Sequence, residues 1–176
     1  MKELSLNILD VAENSVKAGA TLTEITVDEQ GNTLTLTIRD DGCGMDEETV
    51  KAVTDPFYTT RTTRSVGLGV PLLKLAAEQT GGSFGIESSV GESHGTTVKA
   101  TFDKSHIDFT PLGDVTASIL TLIQGHPDTD FYFLHRIDGK EISLDTREIR
   151  AVLDGVPLDT YEVIKWIEGY INEQYE

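Results

Sequence analysis

Two short runs, LTEITVD at 22–28 and TLTLTIR at 33–39, alternate apolar and polar residues and are rich in β-branched side chains. That period of two specifies strands with one buried face, and the Glu29-Gln30-Gly31-Asn32 gap joins them as an antiparallel hairpin. An isolated hairpin is marginal in water, so its apolar face needs a cover. The preceding segment supplies one. Residues 3–18 place Leu4, Ile8, Leu9, Val11, Ala12 and Val16 on one face at helical spacing, and Gly19 provides the stop.

The following segments extend the same plan. Asp46 caps a short helix over 47–53, which ends before Pro56 because the residue ahead of a proline avoids helical geometry. A further helix spans 67–80, with Pro71 tolerated in its first turn and Gly81-Gly82 closing it. Strands at 83–88 and 95–102 complete an α/β unit of the α+β type, a two-layer sandwich in which helices cover one face of a mixed sheet.

A change of texture after Asp103, with Pro111 and Gly113, sets a boundary within 103–111, dividing the chain into a domain over 1–103 and a small α/β annex over 104–176. The annex reads as a helix over 113–124, a hairpin of 130–137 and 140–145 about Asp138-Gly139, and helices over 146–153 and 159–174. Tyr161, Ile164, Ile167 and Ile171 form the stripe of the last helix. Phe131, Tyr132, Phe133, Tyr161, Trp166 and Tyr170 read as core, any exposed members forming a docking surface, and His135-Arg136 reads as a solvent-facing pair.

The 176 residues carry 14 Lys/Arg against 30 Asp/Glu, a formal charge of −16. Such a chain is a poor general partner for nucleic acid or anionic membrane, both of which demand a basic face. Cys43 is the only cysteine, and the four histidines are scattered, which argues against a disulfide framework or a histidine-held metal. The first residues fit neither a signal peptide nor a membrane span, so the expected location is the cytoplasm.

The segment from Thr54 to Gly69 joins hydroxyls, Arg61 and Arg64 to a Gly67-Leu68-Gly69 step at a helix start. Backbone amides and the positive end of a helix dipole attract anions there, and arginines fork onto phosphate oxygens. Each piece also has an ordinary reading. Gly-x-Gly caps many helices, paired surface arginines are usually solvated, and an Asp before Gly, like Asp40 two residues ahead of Gly42, is most often a turn residue.

The order of the motifs says more than any one of them. Glu13-Asn14-Ser15-x-Lys17 on a helix, Asp40-x-Gly42-x-Gly44 at a strand end, Phe57-Tyr58-Thr59-Thr60-Arg61, Gly67-Leu68-Gly69, and Gly95-Thr96-Thr97 on a strand follow one another over about residues 1–103. This series resembles the GHKL superfamily of ATP-binding domains, which includes gyrase, heat-shock-90 chaperones, histidine kinases and MutL-type proteins. The resemblance implies a Bergerat-type fold that binds ATP with Mg²⁺. It assigns Asn14 to the Mg²⁺ and Lys17 to phosphate, and it makes Asp40 the acceptor for the adenine amino group, supported by Thr96. Gly42 and Gly44 would let the backbone approach the base. Thr60 and Arg61 would belong to the lid over the γ-phosphate, with Gly67, Leu68 and Gly69 donating amides.

The Asp55-to-Arg61 lid is similar to that of nitrogen-regulation histidine kinases, whereas Asp10-Val11-Ala12-Glu13-Asn14-Ser15 looks like the MutL-type helix. Asp10 stands where MutL-like ATPases and anti-sigma-factor kinases carry a glutamate base, one methylene longer. It is either the base or a water-mediated Mg²⁺ or structural partner. The ATP-binding pattern begins at residue 1, leaving no room ahead of it for a phosphoacceptor hairpin, so an acceptor is expected on another protein. The resulting expectation is a stand-alone signalling protein kinase acting on a separate partner, with an ATP-hydrolysing switch or a nucleotide-binding regulator as alternatives. The annex would serve partner docking or homodimerisation.

Overall fold

The computed structural model describes residues 3–54 and 69–176. Helix α1 (Leu4–Lys17) precedes the hairpin of β1 (Leu22–Gln30) and β2 (Thr33–Asp40), then α2 (Glu47–Thr54), α3 (Gly69–Gln79), β3 (Phe84–Ser89) and β4 (Gly95–Asp103). The second half adds α4 (Val115–Gly125), β5 (Asp130–Ile137), β6 (Lys140–Asp145), α5 (Thr146–Leu153) and α6 (Tyr161–Tyr175).

The six strands form one sheet in the order β3-β4-β2-β1-β5-β6. Alternation sets which face is buried. Ile25 opposes Ile38, which in turn opposes Val98, and Val27 opposes Leu36, which opposes Ala100; all turn towards the helices. Leu4, Ile8 and Val11 of α1 and Leu73 of α3 pack onto that layer, while Thr26, Thr35, Thr37 and Lys99 occupy the opposite face. The helix ends follow from backbone chemistry: Gly19 takes φ +80° just past α1, and Gly81 takes φ +79° past α3.

The sheet is mixed, as the pattern implied, yet its parallel step comes from the second half. Pairings among β1, β2, β3 and β4 are antiparallel, whereas β5 lies parallel to β1 with Ile25 opposite Phe133. The 103–111 boundary falls in the connection between β4 and α4. On either side of it the chain contributes to one sheet and one core, with Ile119, Phe131 and Ile167 buried beside Ile8 and Ile25.

Two expectations are corrected by burial. His135 does not face solvent: it is 3 % exposed, on the same side of β5 as Phe131 and Phe133, and only Arg136 points outward, to Glu141. Its ring is held by the Glu29 carboxylate at 2.5 Å and the Tyr175 hydroxyl at 2.7 Å, and Lys104 completes the Glu29 cluster at 3.2 Å. Among the annex aromatics, Phe131 and Phe133 are core, but Tyr161, Trp166 and Tyr170 are exposed, because α6 turns Val163, Ile167 and Ile171 inward instead.

Burial, reinforced by the Glu29 and Asp114 charges, pushes the Tyr175 phenol up to about 12. A folded pKa above the ordinary value of 10 means that the contribution is complete below pH 10 and is lost as pH rises through 12. Tyr175→Phe should therefore cost roughly 1 kcal/mol at pH 9, one hydrogen bond, with the gap to the parent closing towards pH 12. Urea denaturation across that range tests it; a gap independent of pH would remove Tyr175 as the titrating group.

Candidate nucleotide site

The best-formed polar cluster sits where β2 runs out. Asp40 is its last residue, opposite Thr96 on β4, and both carboxylate oxygens are held. Ser15 of α1 donates its hydroxyl to Oδ2 at 2.6 Å, and the Gly42 amide donates to Oδ1 at 2.9 Å. Each oxygen has room for a second hydrogen bond, so an oriented carboxylate remains available to a further donor.

The loop after Asp40 is pinned from two sides. Cys43 donates its amide to the Ala18 carbonyl at 2.9 Å, and His94 Nδ1 donates to the Gly42 carbonyl at 2.6 Å. Glycine is required at two of its positions for different reasons. A Cβ on Gly42 would come within 2.9 Å of the Ala18 Cβ, while Gly44 takes φ +75° and a Cβ there would overlap the Ser89 carbonyl. Thr96 is held in turn by Ser88, hydroxyl to hydroxyl at 2.7 Å, and Ser88 also accepts the Met45 amide at 2.7 Å.

Asp40 and Thr96 open into a cavity of about 310 Å³ between the sheet and helices α1 and α2. Ile38, Ile86, Val98, Met45 and Val53 give it apolar walls, while Asn14 and Lys17 line it from α1. A broader hollow of about 650 Å³ shares Asp40 and Thr96 but spreads over the other side of the sheet, past Glu24, Arg39, Glu87 and Thr97. The smaller space is the better ligand site, because apolar walls around a few aimed polar groups can enclose a flat aromatic ring.

Asp10 lies one turn before Asn14 on α1, and the start of α3 is packed against it: a Cβ on Gly69 would stand 2.8 Å from the Asp10 Cβ. Burial, then the Glu13 charge, raises the Asp10 carboxyl above the usual carboxylate range, partly offset by Lys17. Glu13 itself is bonded to His126 at 2.7 Å, a contact from just beyond α4. Asp10 and Gly69 stand outside the 310 Å³ cavity, next to its wall at Val11 of α1 and Val70 of α3. Thr60, Arg61, Gly67 and Leu68 lie outside the described residues.

A family model described as histidine kinase-, DNA gyrase B- and HSP90-like ATPase matches residues 2–106. The chain belongs to this ATPase family. A putative sensor protein of Shewanella frigidimarina is 30 % identical over 103 residues, 58 % of this chain and 15 % of that protein. Sensor protein SrrB of Staphylococcus aureus is 34 % identical over 102 residues, 55 % of this chain and 17 % of its own length. The chain thus spans less than a fifth of these relatives. The Aquifex aeolicus MutL ATPase domain, solved with ADP, superposes with a TM-score of 0.55 at 16 % identity over 88 % of this chain and 70 % of that one. That coverage exceeds what residues 2–106 can supply, so the ATPase-like fold takes in part of the second half.

The oxygen donors at this candidate site fit a magnesium ion. Among the described residues no three His, Cys, Asp or Glu side chains gather to hold a metal, whereas Asn14 and the Asp10 carboxylate offer hard oxygens one helical turn apart. The Asn14 Nδ2 is buried without a hydrogen-bond partner, a donor that suits an acceptor oxygen and leaves metal ligation to Oδ1.

Residue patterns missed Ser15, Ser88 and His94, which orient Asp40, Thr96 and the Gly42 carbonyl. Two of them carried a usable signal: Ser15 shares the buried face of Ile8, Val11 and Ala12 on α1, and Ser88 the inward parity of Phe84 and Ile86 on β3. Among the described residues no helix is long and apolar enough to cross a membrane.

Proposed function

We propose that the chain binds Mg·ATP in the cavity between the sheet and α1, and transfers its γ-phosphate to a separate signalling protein. The observation that carries the nucleotide reading is Asp40, a carboxylate oriented by Ser15 and Gly42 at the mouth of an apolar slot. Such a group accepts from the exocyclic amine of adenine and repels guanine, which presents a carbonyl at that edge. Thr96, bound to Ser88, supports the same edge, while Gly42 and Gly44 keep the loop close to the ring.

From the slot, α1 leads towards the phosphates. Lys17 and Asn14 line the cavity, and Gly69 opens α3 beside Asp10, where helix amides and dipole favour anionic oxygens. Asn14 would hold Mg²⁺, with Asp10 beside it, and the ion would supply charge neutralisation across the phosphates. Thr60, Arg61, Gly67 and Leu68 are assigned to the lid on the strength of the motif alone. Membership of the ATPase family and two sensor proteins among the relatives support a signalling kinase.

A second reading is favoured by one observation. Asp10 is a carboxylate with a raised pKa beside the start of α3, a fitting base for water, so hydrolysis would reset an ATP-driven conformational switch. Incubation with γ-labelled ATP and a cell extract distinguishes the two. Phosphotransfer predicts label on a different protein, acid-labile if the acceptor is histidine, whereas release of inorganic phosphate with no labelled protein would establish the switch instead.

A further inference from the structure

The nucleotide site leaves unused a groove of about 510 Å³ between α5 and α6, beside the last strand of the sheet. Its floor is Leu144, Ile149 and Val163; its walls are Val152 of α5 and Trp166 and Tyr170 of α6. Helix α6 carries two apolar stripes. The first, Val163, Ile167 and Ile171, is at most 8 % exposed and belongs to the core, while Trp166 is 57 % and Tyr170 40 % exposed, and Val152 is 84 % exposed. One stripe suffices for a helix that only covers a sheet, so the second has no partner within the described residues.

The groove is shaped before anything enters it. Trp166 and Tyr170 stack at 5.2 Å between centroids and 9° between planes, which fixes both rings and lowers the entropy lost on contact. Val163, Trp166 and Tyr170 on α6 and Ile149, Val152 and Leu153 on α5 recur at helical spacing, so the α6 ridge runs for about two turns, roughly 10 Å, and the α5 ridge for about one turn, roughly 6 Å. A third helix with apolar residues every three or four positions fits between two such ridges.

Charge selects among occupants. Asp145, Glu148 and Glu162 line the groove, and only Asp145 is engaged, by Arg147 at 2.8 Å. Lys165, the cation nearest on α6, is engaged by Glu168 and lies over the Tyr161 ring. Among the described residues Glu148 and Glu162 form no ion pair. A second copy would bring the same acidic rim and a net charge of −16, and an anionic lipid surface would be repelled likewise. We propose that this groove docks an amphipathic helix of a partner protein, apolar on one face and flanked by lysine or arginine.

Trp166 is the only tryptophan in the chain, so its emission reports the groove directly. The probe is a synthetic amphipathic helix of leucine and lysine, titrated into the full chain, with a scrambled peptide of the same composition and a leucine–glutamate version as controls. The expected result is a saturable blue shift with the leucine–lysine helix only. Val152→Ser, at an exposed position and without change of charge, should weaken it about ten-fold, and Glu148→Gln with Glu162→Gln by a similar factor. An equal response to the scrambled peptide would mean charge attraction without a groove and would overturn the proposal. So would an unchanged affinity in Val152→Ser, or a parent dimer in sedimentation that Val152→Ser dissociates, which would make a second copy the occupant.

Discussion

Asp40→Asn is expected to abolish detectable ATP binding in calorimetry, a loss of about 100-fold or more. The geometry makes the effect larger than the loss of one charge. Ser15 and Gly42 both donate to the carboxylate, one to each oxygen. An amide keeps a single acceptor: with its oxygen on the Gly42 amide, its NH₂ group faces the Ser15 hydroxyl, which can accept, and the edge offered to the adenine amine becomes in part a donor that repels it. Ser15→Ala separates the contributions: it removes an orienting bond but keeps the acceptor, and should weaken ATP by about ten-fold or less. Retained micromolar binding in Asp40→Asn, with an unchanged melting temperature, would remove the adenine assignment.

The second large effect concerns turnover. If Asp10 is the base, Asp10→Asn reduces hydrolysis or phosphotransfer about 100-fold or more while ATP affinity changes little, because a base acts in the transition state and not in binding. Stability provides the control. Burial and the Glu13 charge raise the Asp10 pKa on folding, so its contribution is present below the ordinary carboxylate value of 3.8 and lost as pH rises. At neutral pH the ionised group costs stability, and its neutral isostere should melt at the same temperature or higher. A low turnover with a lowered melting temperature would point to damage of the fold; unchanged turnover would take Asp10 out of the chemistry and leave it a partner to Asn14.

Much of the site was legible because its residues sit at places that local patterns mark. Asn14 and Lys17 lie on an amphipathic helix, Asp40 at the end of an alternating run, and Thr96 in a strand opened by Gly95, and all four line the same 310 Å³ cavity. Asp10 and Gly69, 59 positions apart in the numbering, are brought together because α1 and α3 pack side by side on the sheet. The residues that orient the site were not legible. Ser15 reaches Asp40 across 25 positions, and His94 reaches Gly42 across 52, and a serine or histidine gives no sign of such a partner along the chain.

His135 illustrates a different loss. It reads as solvent-facing although it shares the parity of Phe131 and Phe133, because the chain offers no local hint that Glu29 and Tyr175 wait on the buried face of β5 to satisfy its ring. Glu29 arrives because β5 docks parallel to β1, and Tyr175 because α6 packs against β6. Trp166 and Tyr170 failed for the converse reason: aromatic residues on a helix suggest a core, yet α6 had already spent its inward stripe on Val163, Ile167 and Ile171.

Periodicity along the chain was enough to specify the described helices and strands to within a few residues, since each depends on neighbours a few positions away; the β1–β2 pairing runs two residues further, to Gln30 opposite Thr33, about a Gly31-Asn32 turn. Motif order was enough to reach the ATPase family. The assembled fold alone decided that residues beyond 103 extend the same sheet, that Ser15, Ser88 and His94 brace the Asp40–Thr96 edge, and that α5 and α6 leave an acidic apolar groove open. Local pattern says which face of an element shuns water, whereas the surface that covers it is chosen by packing between segments far apart in the chain, and that choice leaves no periodic trace.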